Sequence, residues 1–496
     1  MSFIFSTIIN LENKLGYEWK YNEENNESIK TEYNDFLLQE YTIRARIHKI
    51  RSTGKRCFLV FRQNGLLLQG LINRSEENRP SFNKLKKTSV ESTIILTGKF
   101  KPVPPEQNII TSCHIKKHEF LPTDFTILTT SETPPIQVNQ IDNSDKDYVP
   151  GISRSIELDH RCIALRAHSN IELFKFKSAV KYAFIKLMED NNFINVDFSK
   201  LIPSASEGGS DVFEVKYFDK KVYLSQSPQL YKQMAINSDF NKVYTIGSVY
   251  RAENSIGHNH LCEFTGFDFE MEIDEGNNFM QPIKILWKII SVMASLSKKF
   301  GYEIKKIPEE PIIITFIEAC ELIGRKKDNL ADFNREDEKK IGDAIKKKYN
   351  SDLVVVTEYP YDLRPFYTMK IKNTENTMTE NTMTENTMTE NTINKDGVFT
   401  YLHSQSYSYS YDLIFCGVEI SSGAQREHRL ENLIKQIKEK DIDIEKLKGY
   451  IDSFRYGTVP HGGAGIGFER VIALLTNTED VRYVSFTPRD PKRISP

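Results

Sequence analysis

A chain of 496 residues is long enough for two or three domains around a substantial core and too long for a single small binding module. With 39% hydrophobic and 27% charged residues it has a globular composition, and no run approaches the ~18 apolar residues of a membrane span. The net charge of −2 is unevenly spread: residues 1–35 carry three Lys against seven acids, a net of −4, whereas residues 36–130 carry sixteen Lys or Arg against seven acids, a net of +9.

In chain order, Met1 to Asn10 is apolar but lacks a basic flank, a small-residue cleavage site and the arginines of a transit peptide, so no targeting segment is expected. From Tyr41 to Ile50 the residues alternate, with Ile43, Ala45 and Ile47 on one face and Arg44, Arg46 and His48 on the other, the period of a half-buried strand. Strand-like runs follow at Cys57–Gln63, Leu66–Leu71 and Thr93–Phe100, separated by turn residues such as Asn64-Gly65, and predict a small β-barrel. The aperiodic stretch Ser131 to Gly151, rich in Pro, Asn and Asp, reads as a linker. Beyond it, Phe176, Val180, Phe184 and Leu187 recur at helical spacing, and Val212–Val215, Val222–Leu224 and Val243–Tyr250 read as strands, a mixed α+β pattern. Thr374 to Ile393 repeats Thr-Glu-Asn-Thr-Met four times, the last copy ending in Ile, and reads as a flexible surface insertion. Six cysteines lie far apart without C-x-x-C spacing, as expected of reduced cytosolic thiols.

Two segments carry chemistry. Tyr250-Arg251-Ala252-Glu253-Asn254 closes an expected strand; a loop with His258, Asn259 and His260 follows, then a second strand from Glu263 to Glu270. An arginine at a strand end can present its planar fork to a phosphate, and Glu253 can accept from an amino group, although Arg-x-Glu is commonly a surface pair. Near the C-terminus, His461-Gly462-Gly463-Ala464-Gly465-Ile466-Gly467-Phe468-Glu469-Arg470 leads into a helical run. Its glycines suggest a loop that lets backbone approach a ligand, or simply tight turning; neither a Walker loop nor G-x-G-x-x-G is present.

Together these segments resemble the class II aminoacyl-tRNA synthetases, Tyr250 to Glu270 matching their second signature motif and Gly465 to Arg470 their third. Ser206-Glu207-Gly208-Gly209, Gln226 to Gln233, Arg364-Pro365-Phe366-Tyr367, Ser422-Gly423-Ala424-Gln425-Arg426-Glu427-His428 and Pro488 to Arg493 resemble the aspartyl type of eukaryotes and archaea, within the aspartyl, asparaginyl and lysyl subclass. The resemblance runs from about Tyr41 to the C-terminus. It implies an α+β protein: an extension over 1–35, an OB-fold β-barrel binding the anticodon over 36–130, a hinge over 131–165, and a catalytic domain over 166–496 with an antiparallel sheet flanked by helices and a low-complexity insertion at 373–394.

The resemblance also implies a reaction and its residues. L-aspartate would be activated with ATP and transferred to the 3′ end of tRNA-Asp by a cytoplasmic homodimer that has no membrane association. Arg251 and Arg470 would be catalytic. ATP would be bound by these two with Ala252, Glu253, Asn259, His260, Leu261, Glu419, Gly467, Phe468 and Glu469, His258 sharing the loop over the triphosphate. Glu419 and Ser422 would hold Mg²⁺ between phosphate oxygens. Aspartate would lie among Glu207, Gln229, Leu230, Tyr231, Lys232, Arg251, Asp268, Ser422 and Arg426, with Lys232 and Arg426 facing its side-chain carboxylate. Phe58, Gln69 and Glu119 would grip the anticodon, Phe58 by stacking; the alternative for Phe58 is a place in the barrel core. Ser199 stands where the first signature motif has proline at the dimer interface.

Two rivals follow from the same residues. Asparagine or lysine as substrate is disfavoured, because neither an amide nor an ammonium suits two facing cations. A non-catalytic RNA-binding paralogue is disfavoured by Arg251, Glu419, Ser422, Arg426 and Arg470. Whether tRNA-Asn is also charged stays open.

Overall fold

The computed structural model describes residues 34–103, 110, 112–142, 152–203, 212–254, 257–258, 260–274, 279–326, 330–371 and 406–495. Glu207, Asn259, the repeat and nearly all of the N-terminal extension lie outside the described residues. The structure divides into two compact units, one ending at Lys175 and one running from Phe176 to Ser495.

In the first unit, strands β1 (Tyr41–Ser52), β2 (Arg56–Gln63), β3 (Leu66–Asn73), β4 (Thr93–Pro102) and β5 (His118–Thr129) close a barrel in the order β1-β2-β3-β5-β4. Alternation does the sorting: Ile43, Ala45 and Ile47 meet Cys57, Leu59, Phe61, Ile94 and Leu96 inside, while Arg44, Arg46 and His48 face outward. β2 turns into β3 through Asn64 and Gly65, at φ 51° and 81°, a two-residue connection that asparagine and glycine tolerate. Helix α1 (Arg79–Lys86) buries Phe82 and Leu85 in the same core.

The second unit is built on an eight-stranded sheet. Its strands are β6 (Ile194–Asn195), β10 (Lys242–Tyr250), β11 (Glu263–Glu272), β12 (Ile313–Thr315), β13 (Leu353–Thr357), β14 (Ser410–Phe415), β15 (Val418–Gln425) and β16 (His461–Gly467). They run in the order β12-β13-β14-β15-β16-β11-β10-β6, antiparallel except at the two edges, where β12 and β6 pair in parallel. β7 (Leu201–Ile202), β8 (Glu214–Tyr217) and β9 (Lys220–Leu224) form a small separate sheet.

Helix α2 (His168–Asp190) carries the expected periodicity, burying Phe176, Val180 and Phe184, the last against Tyr244 and Phe267 of the sheet. Helices α3 (Gln229–Ile236), α4 (Met280–Ser295), α5 (Phe316–Leu322), α6 (Arg335–Tyr349), α7 (Leu430–Glu439) and α8 (Phe468–Leu475) complete the described core. Among the described residues no helix is long and apolar enough to cross a membrane.

One local expectation is overturned. His461 to Gly467 is neither a ligand loop nor a tight turn but the extended strand β16, paired on both sides.

Candidate active site

A cavity of about 460 Å³ opens on the large sheet, over β10, β11, β15 and β16. The glycines of β16 make room for it. Asp268 pairs across with Gly465 and Glu270 with Gly463. A Cβ on Gly465 would lie 2.8 Å from Asp268 Oδ1, and one on Gly463 2.6 Å from Glu270 Oε2. The strand therefore has no side chains where the neighbouring strand projects two carboxylates.

Those carboxylates organise one end of the cavity. Lys232, on α3 and 1% exposed, donates to Asp268 Oδ1 at 3.1 Å and to the Ala464 carbonyl at 3.2 Å, and lies 3.5 Å from Glu270 Oε2. Arg426, at the end of β15, holds Glu270 through two nitrogens, Nε to Oε1 at 2.8 Å and Nη2 to Oε2 at 3.2 Å. The same Nη2 donates to Gln229 Oε1 at 3.2 Å and to the Gly463 carbonyl at 2.9 Å. Burial alone would raise the Glu270 carboxyl, but Arg426 and Lys232 outweigh it and hold the group below the ordinary glutamate value. The Arg426 guanidinium, although buried, is held more firmly protonated by Glu270. Among the described residues Arg426 Nη1 has no hydrogen-bond partner, and Arg426 lines the cavity. The two cations expected to face a substrate carboxylate thus already face two protein carboxylates, and the Nη1 edge of Arg426 is what remains to be bound.

The other end is richer in arginine. Arg251 follows β10, its backbone N–H bonded to the Cys262 carbonyl at 2.9 Å. Its guanidinium lies 3.8 Å from Glu253 and 5.6 Å from the centre of the Phe264 ring. His260 Nε2 is also 3.8 Å from Glu253; burial, then Arg470, lowers its imidazole below the usual histidine range. His258 bonds Asp480 at 3.2 Å. Arg470, in the first turn of α8, donates to the Glu419 carbonyl at 3.1 Å. Glu419 receives burial and the nearby charge of Asp412, and its carboxyl is pushed up to about 8 despite Arg470. Its backbone N–H donates to Glu338 of α6 at 2.8 Å. Asp412 in turn is gripped by Arg364 at 2.6 and 3.3 Å, with Arg364 stacked 3.7 Å over Tyr359.

Of the residues expected at a site, Arg251, Glu253, His260 and Leu261 line this cavity, as do Gln229, Asp268 and Arg426. Glu419, Ser422, Gly467, Glu469 and Arg470 line it as well. The Glu469 carboxylate, however, is taken up by Lys177 at 2.8 Å and by the Thr265 amide and hydroxyl at 2.8 and 3.0 Å. Ala252, Leu230, Tyr231, Lys232 and Phe468 do not line it. Phe468 stacks on Phe267 in the core, Tyr231 stacks with Phe198, and Lys232 sits one layer behind Asp268. In the barrel, Phe58 is half-buried on the outer face, alternating with Cys57 and Leu59 of the core, so it is not a core residue. Gln69, opposite Val60 on that face, bonds Glu119 of β5.

Residues 153–491 match the family model of tRNA synthetases class II (D, K and N). The chain belongs to that family. This class II synthetase is 33% identical over 483 residues to the cytoplasmic aspartate–tRNA ligase of Caenorhabditis elegans, covering 92% of this chain and 84% of that one. The solved aspartyl-tRNA synthetase of Entamoeba histolytica superposes with a TM-score of 0.76 at 32% identity, covering 93% and 91% of the two chains. The asparaginyl-tRNA synthetase of Pyrococcus horikoshii superposes with a TM-score of 0.73, covering 92% and 96%, but at 22% identity that likeness speaks for the fold alone.

The sequence reading of this class II synthetase missed Glu270, the buried centre of the charge cluster, and Asp412, the negative neighbour that does most to raise the Glu419 carboxyl. A signal existed for the first: Glu270 shares its strand face with Asp268 and ends the same motif.

Proposed function

We propose that this synthetase is an aspartate–tRNA ligase of the cytoplasm, forming aspartyl-adenylate from aspartate and ATP and passing the aspartyl group to tRNA-Asp. The observation that carries the reading is the Arg426 guanidinium, fixed on two sides by Glu270 and Gln229 with its Nη1 edge left to the cavity, the donor set a side-chain carboxylate needs. The substrate ammonium would meet Asp268 and Gln229. Its α-carboxylate would be turned toward Arg251, in line with the α-phosphate of ATP, and attack there releases pyrophosphate. No protein nucleophile is required, so catalysis comes from positioning and from the charge that Arg251 and Arg470 bring to the phosphates. The terminal ribose hydroxyl of the tRNA would then attack the adenylate carbonyl, giving up its proton and expelling AMP as the acyl–phosphate bond breaks, while Phe58 and Gln69 hold the anticodon on the barrel.

The residues present fit a magnesium ion. Glu419 is crowded by Asp412 and Glu338, and Ser422, paired with Asp412 across β14 and β15, is exposed on the same strand. Among the described residues no three or more His, Cys, Asp or Glu side chains are grouped to hold a metal by themselves, as suits an ion that takes most of its oxygens from phosphates and water. Glu419 and Ser422 would hold it, and it would supply neutralisation of phosphate charge. Exposed Tyr182, Ile194 and Leu201 offer apolar surface to a second copy of the chain.

Pyrophosphate exchange with aspartate, asparagine and lysine, followed by charging of tRNA-Asp and tRNA-Asn, tests the reading. Exchange confined to aspartate is expected, and exchange with asparagine at a comparable kcat/KM would overturn it.

A further inference from the structure

The first unit has a recess of its own, about 680 Å³, on the outer face of β1 and β2 beside the ends of β4 and β5 and residues 165–171. Four arginines line it: Arg44, Arg46, Arg62 and Arg166. Arg46 and Arg62 stand directly opposite one another across the β1–β2 pair, an arrangement of like charges that weakens a sheet.

Their compensation is incomplete. Glu91 accepts from Arg62 and from Arg166 on the same oxygen, Oε2, the second at 2.8 Å, and does so from a left-handed backbone at φ 68°. Arg46 reaches only the Glu91 carbonyl, at 3.2 Å. Arg44 is exposed and makes no ion pair among the described residues. His48 adds no charge: its Nδ1 accepts from Arg62 at 2.9 Å, which requires that nitrogen to be unprotonated. Asp142 is spent on the backbone N–H groups of His168 and Ser169, at 2.8 and 2.9 Å. Four guanidiniums therefore have one carboxylate between them, which only Arg62 and Arg166 hold, and the surplus faces an open recess lined also by Thr93 and Thr129, whose hydroxyls bond each other.

Planar guanidiniums converging on a polar recess suit a phosphate group. The recess is continuous with the strand face that carries the RNA-binding candidates. Phe58, Val60 and Arg62 are alternate residues of β2 on its outer side, so Phe58 and Arg62 lie roughly 13 Å apart along the strand, the reach of two or three nucleotides. We propose that Arg44, Arg46 and Arg166 bind a backbone phosphate of the tRNA whose anticodon the barrel holds, a second contact that fixes the RNA in register without reading its bases. This rests on the tRNA-ligase reading above.

The test uses the full chain with Arg44→Gln and Arg46→Gln together, both residues lying on the outer face of β1, and Arg44→Gln alone as the milder variant. Affinity for tRNA-Asp is measured between about 50 and 200 mM salt, in parallel with aspartate-dependent pyrophosphate exchange and a titration with inorganic phosphate. Affinity should fall about 5- to 20-fold at low salt, and the slope of log K against log salt should drop by about one, because losing the one phosphate contact removes roughly one released counterion. Exchange should be unchanged. The charge-keeping variant Arg44→Lys with Arg46→Lys should retain most of the slope.

Unaltered tRNA affinity and slope in the double variant overturn the proposal. So does loss of inorganic phosphate binding alone, which would make this a site for a free anion. Failure of the ligase reading looks different: the unaltered protein would then show no aspartate-dependent exchange at all.

Discussion

Replacing Arg426 by methionine should damage two properties at once, and a second substitution should separate them. Arg426 makes two hydrogen bonds to Glu270, one to Gln229 and one to the Gly463 carbonyl. Without it Glu270, 0% exposed, keeps only Lys232 at 3.5 Å. Stranding one member of a buried pair costs about 3–5 kcal/mol, enough to lower Tm by the order of 5–15 °C in a unit of this size. In the proposed pose the aspartate carboxylate would lose the Nη1 edge as well, so kcat/KM for aspartate should fall by about 30-fold to several thousandfold, while KM for ATP moves little. Lys232 is not stranded, because Asp268 and the Ala464 carbonyl still accept from it.

The double variant Glu270→Met with Arg426→Met removes both charges, and apolar replacement of a buried ion pair is commonly near neutral or stabilising. Tm should return to within a few degrees of the unaltered protein, and aspartate activation should not return. Thermal unfolding and pyrophosphate exchange on the unaltered protein and the two variants decide the matter. Recovery of aspartate kcat/KM in the double variant would show that Arg426 acts only through the fold, and unchanged aspartate kinetics in Arg426→Met would refute the assignment outright.

Gly465→Ala puts a methyl 2.8 Å from Asp268 Oδ1 and should raise KM for aspartate about tenfold with little change for ATP; equal effects on both substrates would mean a general distortion of β16. Gln69→Ala should raise KM for tRNA and leave pyrophosphate exchange alone; a parallel fall in exchange would make the Gln69–Glu119 bond a support of the barrel rather than an RNA contact. Deleting Thr374 to Ile393 should leave adenylate formation within a factor of about three, since the Ile371 N–H bonds the Tyr407 carbonyl at 2.9 Å and a short linker can close the ends; a hundredfold loss in a folded protein would refute this. His48 is held down to about 4 by burial and by Arg62, against an ordinary 6.5, so the folded barrel binds its proton later than the unfolded chain does. Stability present above pH 6.5 should therefore drain away between about 6.5 and 4 as the unfolded imidazole protonates first, and a Tm series on His48→Gln should show a shallower decline over that window.

How much of this was legible in the sequence depended on whether the cause was local. β1 reads directly, because one face is buried and alternation records it. β5 went unread: Pro122 sits inside it, polar residues interrupt its period, and it pairs with β4 through two register shifts. The glycines of β16 were misread because glycine signals a loop locally, whereas here Gly463 and Gly465 answer to carboxylates on a strand nearly 200 positions away. Glu419 and Ser422, three residues apart, would fall on opposite faces of a regular strand. Ile414 pairs with Glu419 and Leu413 with Ser421, so Ile420 is the extra residue of a bulge, and Glu419 and Ser422 come to share the face of Asp412. The family resemblance named that pair, but only the pairing register explains it.

The charge cluster also changes how selection between aspartate and asparagine has to be argued. Two bare cations would choose aspartate by net charge, but Lys232 and Arg426 stand against Asp268 and Glu270, so the end of the cavity is close to neutral before substrate enters. The discrimination must then lie in hydrogen-bond polarity. Arg426 Nη1 offers donors only, which a carboxylate oxygen satisfies. An asparagine could turn its amide oxygen to the same edge, but its nitrogen would then need an acceptor where Glu270 is committed to Arg426, and where Asp268, already held by Lys232 through Oδ1, would be taken up by the substrate ammonium in the proposed pose. An amide nitrogen desolvated without an acceptor costs about 1–3 kcal/mol, or roughly one to two orders of magnitude in kcat/KM. In the proposed pose Glu270 would therefore do more than steady Arg426: by occupying the guanidinium's other side it would leave donors alone facing the substrate carboxylate.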